Sequence, residues 1–483
     1  MTRPIVCETV TATSMAELRA ARDRATGEVV ELRLDGVRDV DVAGALEGRR
    51  QPVVVTCRAA WEGGRFDGDE ETRLGLLASA VRGGAEFVDV EWRAEHARVP
   101  RADGTRRILS SHDFSGLPAD LAERVRAMRA TGDIVKVAVQ ASRLTDCITL
   151  RDAVAGEGDR IVVAMGPAGW LTRVAPERFG SCWTFAGTAA PGQLSVADLV
   201  GTYRVGAHTP ETLLYGVTGR PLAHSASPAM HNAAFAAVGA DALYVPFETD
   251  DPDDLQAAAR AFGIRGLSVT APLKAGAAGL ATKLGEAARR TGVVNTLRFE
   301  PKEVRGENFD VAGFLDPIDA RRVPLEGRRA VVLGAGGAAR AAAMALASRG
   351  ARVAIAARRR ERALALARSL DVGVEAWPPA PGWDLLVNAT PVGTWPDVEA
   401  SPLEAADLAG ALVYDMVYHP RETALRRRAA AAGIPSLGGL DMLVGQARRQ
   451  FAFWTGHDVP AAVFEGAALA FLASRRDASG TDQ

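Results

Sequence analysis

The chain is poor in the features that mark several protein classes. It has four cysteines in 483 residues, Cys7, Cys57, Cys147 and Cys182, far apart and without a CxxC pair. That argues against a disulfide framework or a zinc site and fits a reducing cytoplasm. Neither sign of charge is in excess: 57 basic residues face 59 acidic ones, so no basic field points to nucleic acid or a membrane surface. No apolar run reaches membrane-spanning length. The first residues, Met1-Thr-Arg-Pro-Ile-Val, enter a strand-like segment almost at once, which predicts no signal or transit segment and a cytoplasmic protein. What is present is ordinary for a globular chain: 48% hydrophobic and 24% charged residues, which excludes bulk disorder. At roughly 150 residues per domain, the length predicts about three domains with sizeable cores. The abundance of alanine and arginine reads as codon bias.

From residue 5 to about 207, strand-like runs alternate with helix-like stretches. The runs are 5–10, 29–35, 52–58, 87–92, 106–113, 134–139, 160–166 and 182–187. Amphipathic stretches such as 117–130 and 142–155 lie between them. Eight βα units in about 200 residues predict an α/β fold of the (β/α)8 barrel type. Two smaller α/β domains would give the same strand count, but nothing linker-like interrupts the run.

The polar residues of these strands sit oddly for a core. Glu31, Arg33 and Asp35 alternate in Val-Val-Glu-Leu-Arg-Leu-Asp, and period two puts them on one face. Arg58 ends the third run and Glu62-Gly-Gly follows; His112-Asp113 ends the fifth; Arg173 follows the seventh and Gln193 the eighth. Strand ends and the loops after them form the catalytic mouth of a barrel. Lys136 sits inside Ile-Val-Lys-Val-Ala-Val. Burying a charged lysine among valines is costly, and a neutral amine can attack a ketone to form a Schiff base. A lysine snorkelling from an edge strand would give the same pattern. A single histidine at a strand end is often only a hydrogen-bonded loop residue. Together with three arginines and two glutamates, the pair suggests a cationic mouth for an anionic substrate.

These motifs resemble, in order, those of type I 3-dehydroquinate dehydratase: Glu31-Leu-Arg33-Leu-Asp, Thr-Cys-Arg58-Ala-Ala-Trp-Glu62-Gly-Gly, Ser-Ser-His112-Asp-Phe, Val-Lys136-Val-Ala, Thr-Arg173 and Ala-Pro-Gly-Gln193. The resemblance implies that Lys136 forms an imine with the substrate C3 ketone. It gives His112 the C2 proton and the departing C1 hydroxyl, and makes Glu62 the group that orients His112. Arg173 would hold the carboxylate, and Glu31, Arg33, Arg58 and Gln193 the rest of the substrate. Ala189 stands where the family usually has serine.

After Gly206-Ala-His-Thr-Pro-Glu the pattern restarts. Near residue 329 comes Arg-Ala-Val-Val-Leu-Gly334-Ala-Gly336-Gly337-Ala338-Ala339, followed by a helix-like stretch 341–348. A strand, then G-x-G-x-x-A opening a helix, is a dinucleotide fingerprint in its required context. Strand-like runs 352–357, 384–389 and 412–416 follow at helix-length intervals. The second run ends Ala357-Arg358-Arg359-Arg360, with no acid for a ribose 2′-hydroxyl. Guanidinium groups pair with phosphate, so the expected cofactor is NADP, its 2′-phosphate on Arg358. A solvated basic start to the next helix would also explain Arg360.

Around this fingerprint lie motifs that resemble shikimate dehydrogenase. They include His224-Ser225-Ala-Ser227-Pro, Ser-Val-Thr270-Ala-Pro-Leu-Lys274, Asn295-Thr, Asn308-Phe309-Asp310, Asn388-Ala-Thr390-Pro, Asp415-Met-Val-Tyr418 and Gly439 through Gln446. The resemblance implies that Lys274 and Asp310 are catalytic. Ser225 and Ser227 would hold the substrate carboxylate, and Thr270, Asn295 and Gln446 its hydroxyls. Gly334, Gly336, Gly337, Ala338, Arg358, Asn388, Thr390 and Tyr418 would hold the cofactor. On spacing alone, Lys274 could be a surface lysine at a helix start. The family commonly has Asn-Thr-Asp in place of Asn308-Phe309-Asp310 and Asn-Arg-Thr in place of Ala357-Arg358-Arg359. Both serines of the first motif are kept, which favours shikimate over quinate.

The expected division is a barrel over 1–208, a substrate domain over 213–311 with 437–475, and a Rossmann domain over 312–436. The two resemblances are consecutive reactions: 3-dehydroquinate to 3-dehydroshikimate, then NADPH-dependent reduction to shikimate. No metal, nucleic acid or membrane is expected. Two alternatives stand: a working dehydrogenase on an inactive barrel kept for binding or assembly, and a catabolic quinate or shikimate dehydrogenase.

Overall fold

The computed structural model describes residues 3–187, 193–274, 276–404 and 408–479; Ala189 lies outside them. The first eight strands are β1 (Ile5–Thr11), β2 (Val29–Arg33), β3 (Val53–Thr56), β4 (Phe87–Glu91), β5 (Arg106–Asp113), β6 (Ile134–Gln140), β7 (Arg160–Met165) and β8 (Trp183–Gly187). They form one eight-stranded sheet ordered β7-β6-β5-β4-β3-β2-β1-β8. All its ladders are parallel. The ends approach where Cys182 N–H donates to the Arg160 carbonyl at 2.8 Å and Arg160 bridges Ser181 in parallel. One sheet excludes the reading of two small domains.

Strands covered on both faces need apolar side chains on both. That is why Val53–Thr56 is buried throughout and why valine runs predicted the strands. The third run stops at Thr56, two residues before its predicted end, so Arg58 lies in the loop beyond the strand. Helices begin where short polar side chains accept orphan N–H groups: Ser14 caps Met15–Arg24 and Asp69 caps Glu70–Arg82.

The next six strands are β9 (Leu213–Gly219), β10 (Ala242–Glu248), β11 (Ile264–Val269), β12 (Lys283–Leu284), β13 (Thr296–Phe299) and β14 (Val304–Glu307). Their sheet order is β10-β9-β11-β13-β14-β12, with antiparallel ladders β11–β13 and β13–β14. The last six are β15 (Arg329–Leu333), β16 (Arg352–Ala356), β17 (Gly373–Val374), β18 (Trp383–Asn388), β19 (Gly410–Asp415) and β20 (Ser436–Gly438). The order β17-β16-β15-β18-β19-β20 is the doubly wound 3-2-1-4-5-6 arrangement, with its switch point at the first strand. The helix after β15 starts at Gly337, four residues earlier than the alanine run alone suggested, and ends at Ser348.

By compactness the chain divides into residues 1–216 with 241–264, and 217–240 with 265–483. In the first unit, β10 and the helix Pro252–Phe262 travel with the barrel. Asp254 there is 1% exposed and accepts the Leu144 and Thr145 N–H groups at 2.9 and 3.0 Å and the Thr145 hydroxyl at 2.8 Å. Arg151 donates to the Ala261 carbonyl at 3.0 Å. Among the described residues, no helix is long and apolar enough to cross a membrane.

Candidate active sites

The barrel holds a polar cavity lined by Glu31, Arg58, Glu62, His112, Lys136 and Arg173, with Arg33 and Gln193 also on its wall. The eight barrel residues singled out from the motifs therefore meet in one place. Lys136 is 5% exposed. Its strand is paired on both sides, with Ser110 and Ile161 as register partners, so it does not snorkel from an edge. Its Nζ donates to Asp89 Oδ2 at 2.8 Å, lies 3.5 Å from Glu31 and sits 4.3 Å above the Phe185 ring.

The lysine was expected among valines, but its end meets two carboxylates. Asp89 and Glu91 were missed. Their alternation in Phe-Val-Asp-Val-Glu has the same period as Glu31 and Arg33, which was the available signal. Asp89 also takes Arg58 Nη2 at 2.9 Å and the Ser110 hydroxyl at 2.6 Å. Burial pushes its carboxyl up, but Arg58, Lys136 and His112 outweigh burial and hold it well below the usual carboxylate range. Glu91 accepts from Arg58 Nη1 at 2.9 Å and Arg73 Nη1 at 2.6 Å. Glu31 is pinned by the Thr9 and Thr56 hydroxyls at 2.7 and 2.9 Å.

Glu62 Oε2 receives the His112 backbone N–H at 3.1 Å and faces His112 Nδ1 at 2.8 Å. A proton on Nδ1 then leaves Nε2 as the acceptor. Burial, with Arg58 and Lys136 nearby, lowers the His112 pKa well below its ordinary value, so the imidazole is neutral and able to act as a base. Burial pushes the Glu62 carboxyl up to about 7, with Arg58 opposing. Arg173 is 3% exposed. Its Nη1 has no hydrogen-bond partner among the described residues, and burial brings its pKa down to about 10. A buried guanidinium with a spare donor suits a carboxylate ligand. Arg33 instead makes a two-point contact with Asp35, 2.8 and 2.9 Å.

The second constellation centres on Lys274. Its Nζ donates to Asp310 Oδ2 at 2.6 Å. Asn295 Nδ2 donates to Asp310 Oδ1 at 2.8 Å and to Gln446 Oε1 at 3.3 Å. The surface-lysine reading fails, because the ion pair is the hub of a buried polar group. Phe309 gives its backbone N–H to Asn295 at 2.9 Å, while its ring packs on Phe453 with centroids 5.7 Å apart. The backbone at this position serves the site, while the half-buried ring makes an aromatic contact away from it. Ser225 accepts the Ser227 N–H at 3.3 Å, which forms the turn that opens helix Ser227–Ala237. Thr270 follows β11 and its N–H donates to the Thr218 carbonyl at 2.8 Å.

The glycine-rich turn fits a dinucleotide. Gly334 has φ +112°, and a Cβ there would press on the Ala389 carbonyl at 3.1 Å, whereas Gly336 faces open space. No side chain caps the helix Gly337–Ser348, so its first N–H groups, Ala338 included, are left for a phosphate. A Cβ on Gly337 would lie 3.8 Å from Lys274 Cδ, which brings the turn beside Lys274. Arg358 is exposed at the end of β16. Three residues expected at the cofactor make contacts within the protein. Asn388 is fully buried and its amide is spent on Asp415 at 2.9 Å and on the Thr390 N–H and hydroxyl at 3.0 and 2.7 Å; Asn388 and Thr390 shape the loop from inside. Tyr418 is half-buried; desolvation raises its pKa, and it takes a hydrogen bond from the Ala226 backbone. That puts it at the Ser225–Ser227 turn.

Comparison with known proteins agrees with this geometry. Residues 6–210 match type I 3-dehydroquinase, 217–297 the shikimate dehydrogenase substrate binding domain, and 439–469 the shikimate 5′-dehydrogenase C-terminal domain. A bifunctional 3-dehydroquinate dehydratase/shikimate dehydrogenase of Arabidopsis thaliana, described as chloroplastic, is 31% identical over 94% of this chain and 83% of its own length. A shikimate dehydrogenase (NADP(+)) of Symbiobacterium thermophilum is 43% identical over 54% of this chain and 94% of its own. The solved Thermus thermophilus shikimate 5-dehydrogenase, in complex with NADP(H) and shikimate, superimposes with TM-score 0.50 and 37% identity over 54% of this chain and 99% of its own. The chain belongs to the bifunctional type I 3-dehydroquinate dehydratase/shikimate dehydrogenase family and joins the dehydratase and an NADP-dependent shikimate dehydrogenase in one polypeptide.

Proposed function

We propose that Lys136 is the imine-forming residue of the dehydratase and Lys274 the proton donor of the dehydrogenase. In the barrel, Lys136 Nζ adds to the C3 ketone of 3-dehydroquinate and one water leaves. His112 Nε2 then takes a C2 proton, giving an enamine. The C1 hydroxyl departs as water with a proton from His112. Hydrolysis of the imine releases 3-dehydroshikimate and restores the lysine. Asp89 and Glu31 compensate the charge of Lys136 and of the iminium that replaces it. Glu62 orients His112, and Arg173 receives the substrate carboxylate. The observation that carries this reading is the meeting of Lys136, His112 and Arg173 on one cavity.

In the second half, Lys274 faces the carbonyl oxygen of 3-dehydroshikimate, donates a hydrogen bond and delivers the proton as the alkoxide develops. Asp310 holds its Nζ at 2.6 Å. Asn295 and Gln446 orient the hydroxyls, with Thr270 beside them, and Ser225, Ser227 and Tyr418 receive the carboxylate. When bound, NADPH supplies the hydride. The turn 334–338 would hold its pyrophosphate and Arg358 its 2′-phosphate. The functional division we propose is 1–208 for dehydration, 213–311 with 437–475 for shikimate, and 312–436 for the cofactor. A reducing compartment suits four cysteines that are all free thiols.

The test is reductive trapping. Borohydride added with 3-dehydroquinate should leave one covalent adduct, found by mass spectrometry on Lys136. The chain has only three other lysines, Lys274, Lys283 and Lys302, so the assignment is clean. An adduct on any of them would overturn the reading.

A further inference from the structure

The cations around the barrel cavity differ in how fully they are neutralised. Lys136 is met by Asp89 and Glu31, Arg58 by Asp89 and Glu91, and Arg33 by Asp35. Two lining cations have no carboxylate partner among the described residues: the buried Arg173 and the exposed Arg65. Arg65 was not singled out by any motif. Asp35 cannot neutralise it. Its oxygens already take the Arg33 guanidinium, the Arg58 N–H at 3.2 Å and the Arg65 backbone N–H at 3.0 Å. Asp35 thus anchors the Arg65 backbone and leaves its guanidinium unpaired.

The turn that carries Arg65 is held tightly. Gly63 has φ +78°, and a Cβ there would meet the Phe114 ring at 2.7 Å; a Cβ on Gly64 would overlap the Arg58 carbonyl at 1.9 Å. Gly64 packs against the Arg58 backbone and Asp35 holds the Arg65 N–H, so the backbone that carries Arg65 is anchored at the cavity wall. It lies in the loop after β3, on the side of the barrel where strands end.

We propose that Arg65 is a second substrate-positioning cation of the dehydratase, an outer charge that draws the anionic substrate into the mouth before Arg173 takes its carboxylate. An uncompensated charge on a concave wall raises the local concentration of a counter-charged ligand. Arg65 is exposed and makes no contact with Lys136 or His112, so it acts on binding and not on the bond-making steps.

The experiment uses the full chain and follows 3-dehydroquinate dehydration across a salt series. Arg65→Gln should raise KM about threefold at low salt, the size expected of one exposed charge, with kcat unchanged. Added salt should raise the KM of the parent protein toward that of the variant, because it screens exposed charges. Arg65→Lys should restore most of the parent KM. Arg126→Gln, the same charge change on the exposed outer face of helix Leu121–Arg129, should do nothing. Shikimate oxidation reports that each variant is folded. An unchanged KM in Arg65→Gln, an equal rise in Arg126→Gln, a loss in kcat alone, or no rescue by lysine would each overturn the proposal.

Discussion

The two sites use the same pair of groups, a lysine and an aspartate, in different settings. Lys136 stands on a strand inside the barrel, its side chain 6% exposed, against two carboxylates and the face of an aromatic ring. Lys274 stands in a loop, 23% exposed, against a single carboxylate. In the mechanism proposed above, the barrel lysine forms and breaks a bond to carbon, and a histidine moves the protons around it. The loop lysine there moves a proton itself. Depth therefore goes with division of labour. A buried nucleophile needs compensating charge and a separate base, while a part-exposed lysine needs only an anchor.

The sharpest way to break that comparison is to remove each lysine in turn. Lys136→Ala should lower dehydration at least about a thousandfold, as loss of a covalent nucleophile does, and leave shikimate oxidation within about twofold. Lys274→Ala should do the reverse. If one substitution silenced both reactions in a folded protein, the sites would not be separate. The same pair of variants tests the reading of the barrel as an inactive module: a barrel that dehydrates nothing before Lys136 is removed would restore that reading.

A second prediction concerns the base and its partner. The Glu62 carboxyl must be ionised to accept the His112 Nδ1–H. Burial pushes it up to about 7, so it is protonated below that pH and ionised above. The dehydratase kcat/KM, which reports the free enzyme, should rise with pH through about 7. Glu62→Gln should lower kcat by roughly ten- to a hundredfold and erase that limb. Shikimate oxidation does not use Glu62 and should keep its profile in Glu62→Gln. A limb that survives in Glu62→Gln would assign it to another residue.

Chemistry separates the halves, but packing does not follow the same line. Asp254 belongs to the stretch that matches the shikimate dehydrogenase substrate domain, yet its carboxylate caps barrel backbone at Leu144 and Thr145. Burial raises its pKa, but these hydrogen bonds and that of Thr249 outweigh burial and lower it. A depressed folded pKa means the contact stabilises at neutral pH and is lost as pH falls through that value. Asp254→Ala orphans buried donors at about 1–3 kcal/mol, or roughly 3–10 °C in a unit of this size. Residual dehydratase and oxidation activities after heating should fall together. A fall in oxidation alone would show that the barrel does not depend on this contact.

How much of this could be read from the residues follows from where each residue sits. The eight barrel strands were legible because parallel strands are apolar on both faces, as in Val53–Thr56. Two-residue strands such as Lys283–Leu284 and Gly373–Val374 are too short to carry a period. Lys136 and His112 stood out because a charge in a valine run and a histidine at a strand end are unusual. Asp89 did not, although its alternation with Glu91 carried a period, because Lys136, the group it pairs with, lies two strands away and only the folded sheet brings them together. Asn388 had the right motif and was given a direct role, but its amide makes four hydrogen bonds within the protein. A motif identifies a loop; hydrogen bonds decide which of its atoms remain for a ligand.

The smallest expected effect concerns the cofactor, and it contrasts the two ends of one binding crevice. At the pyrophosphate end, recognition uses backbone N–H groups at an uncapped helix start, which cannot tell NAD from NADP. At the adenosine end, β16 finishes at Ala356 and is followed by exposed Arg358 and Arg359, with no acid to hold a 2′-hydroxyl. Neither guanidinium has an ion-pair partner among the described residues, so both are available to a phosphate. One charge-assisted hydrogen bond contributes about 1.5–3 kcal/mol, which is at least about tenfold in binding. Exposure places the effect at the lower bound and makes it sensitive to salt. Arg358→Ala should therefore raise KM for NADP about tenfold at low salt and leave KM for NAD within about twofold, since only NADP carries the lost contact. Ala357 offers no side-chain hydrogen bond to hold Arg358, so Arg359 can take over part of the phosphate. The double variant with Arg359→Ala should then lose more than Arg358→Ala alone. Measured as KM for both nucleotides across a salt series, equal effects on NAD and NADP would remove Arg358 from the 2′-phosphate site.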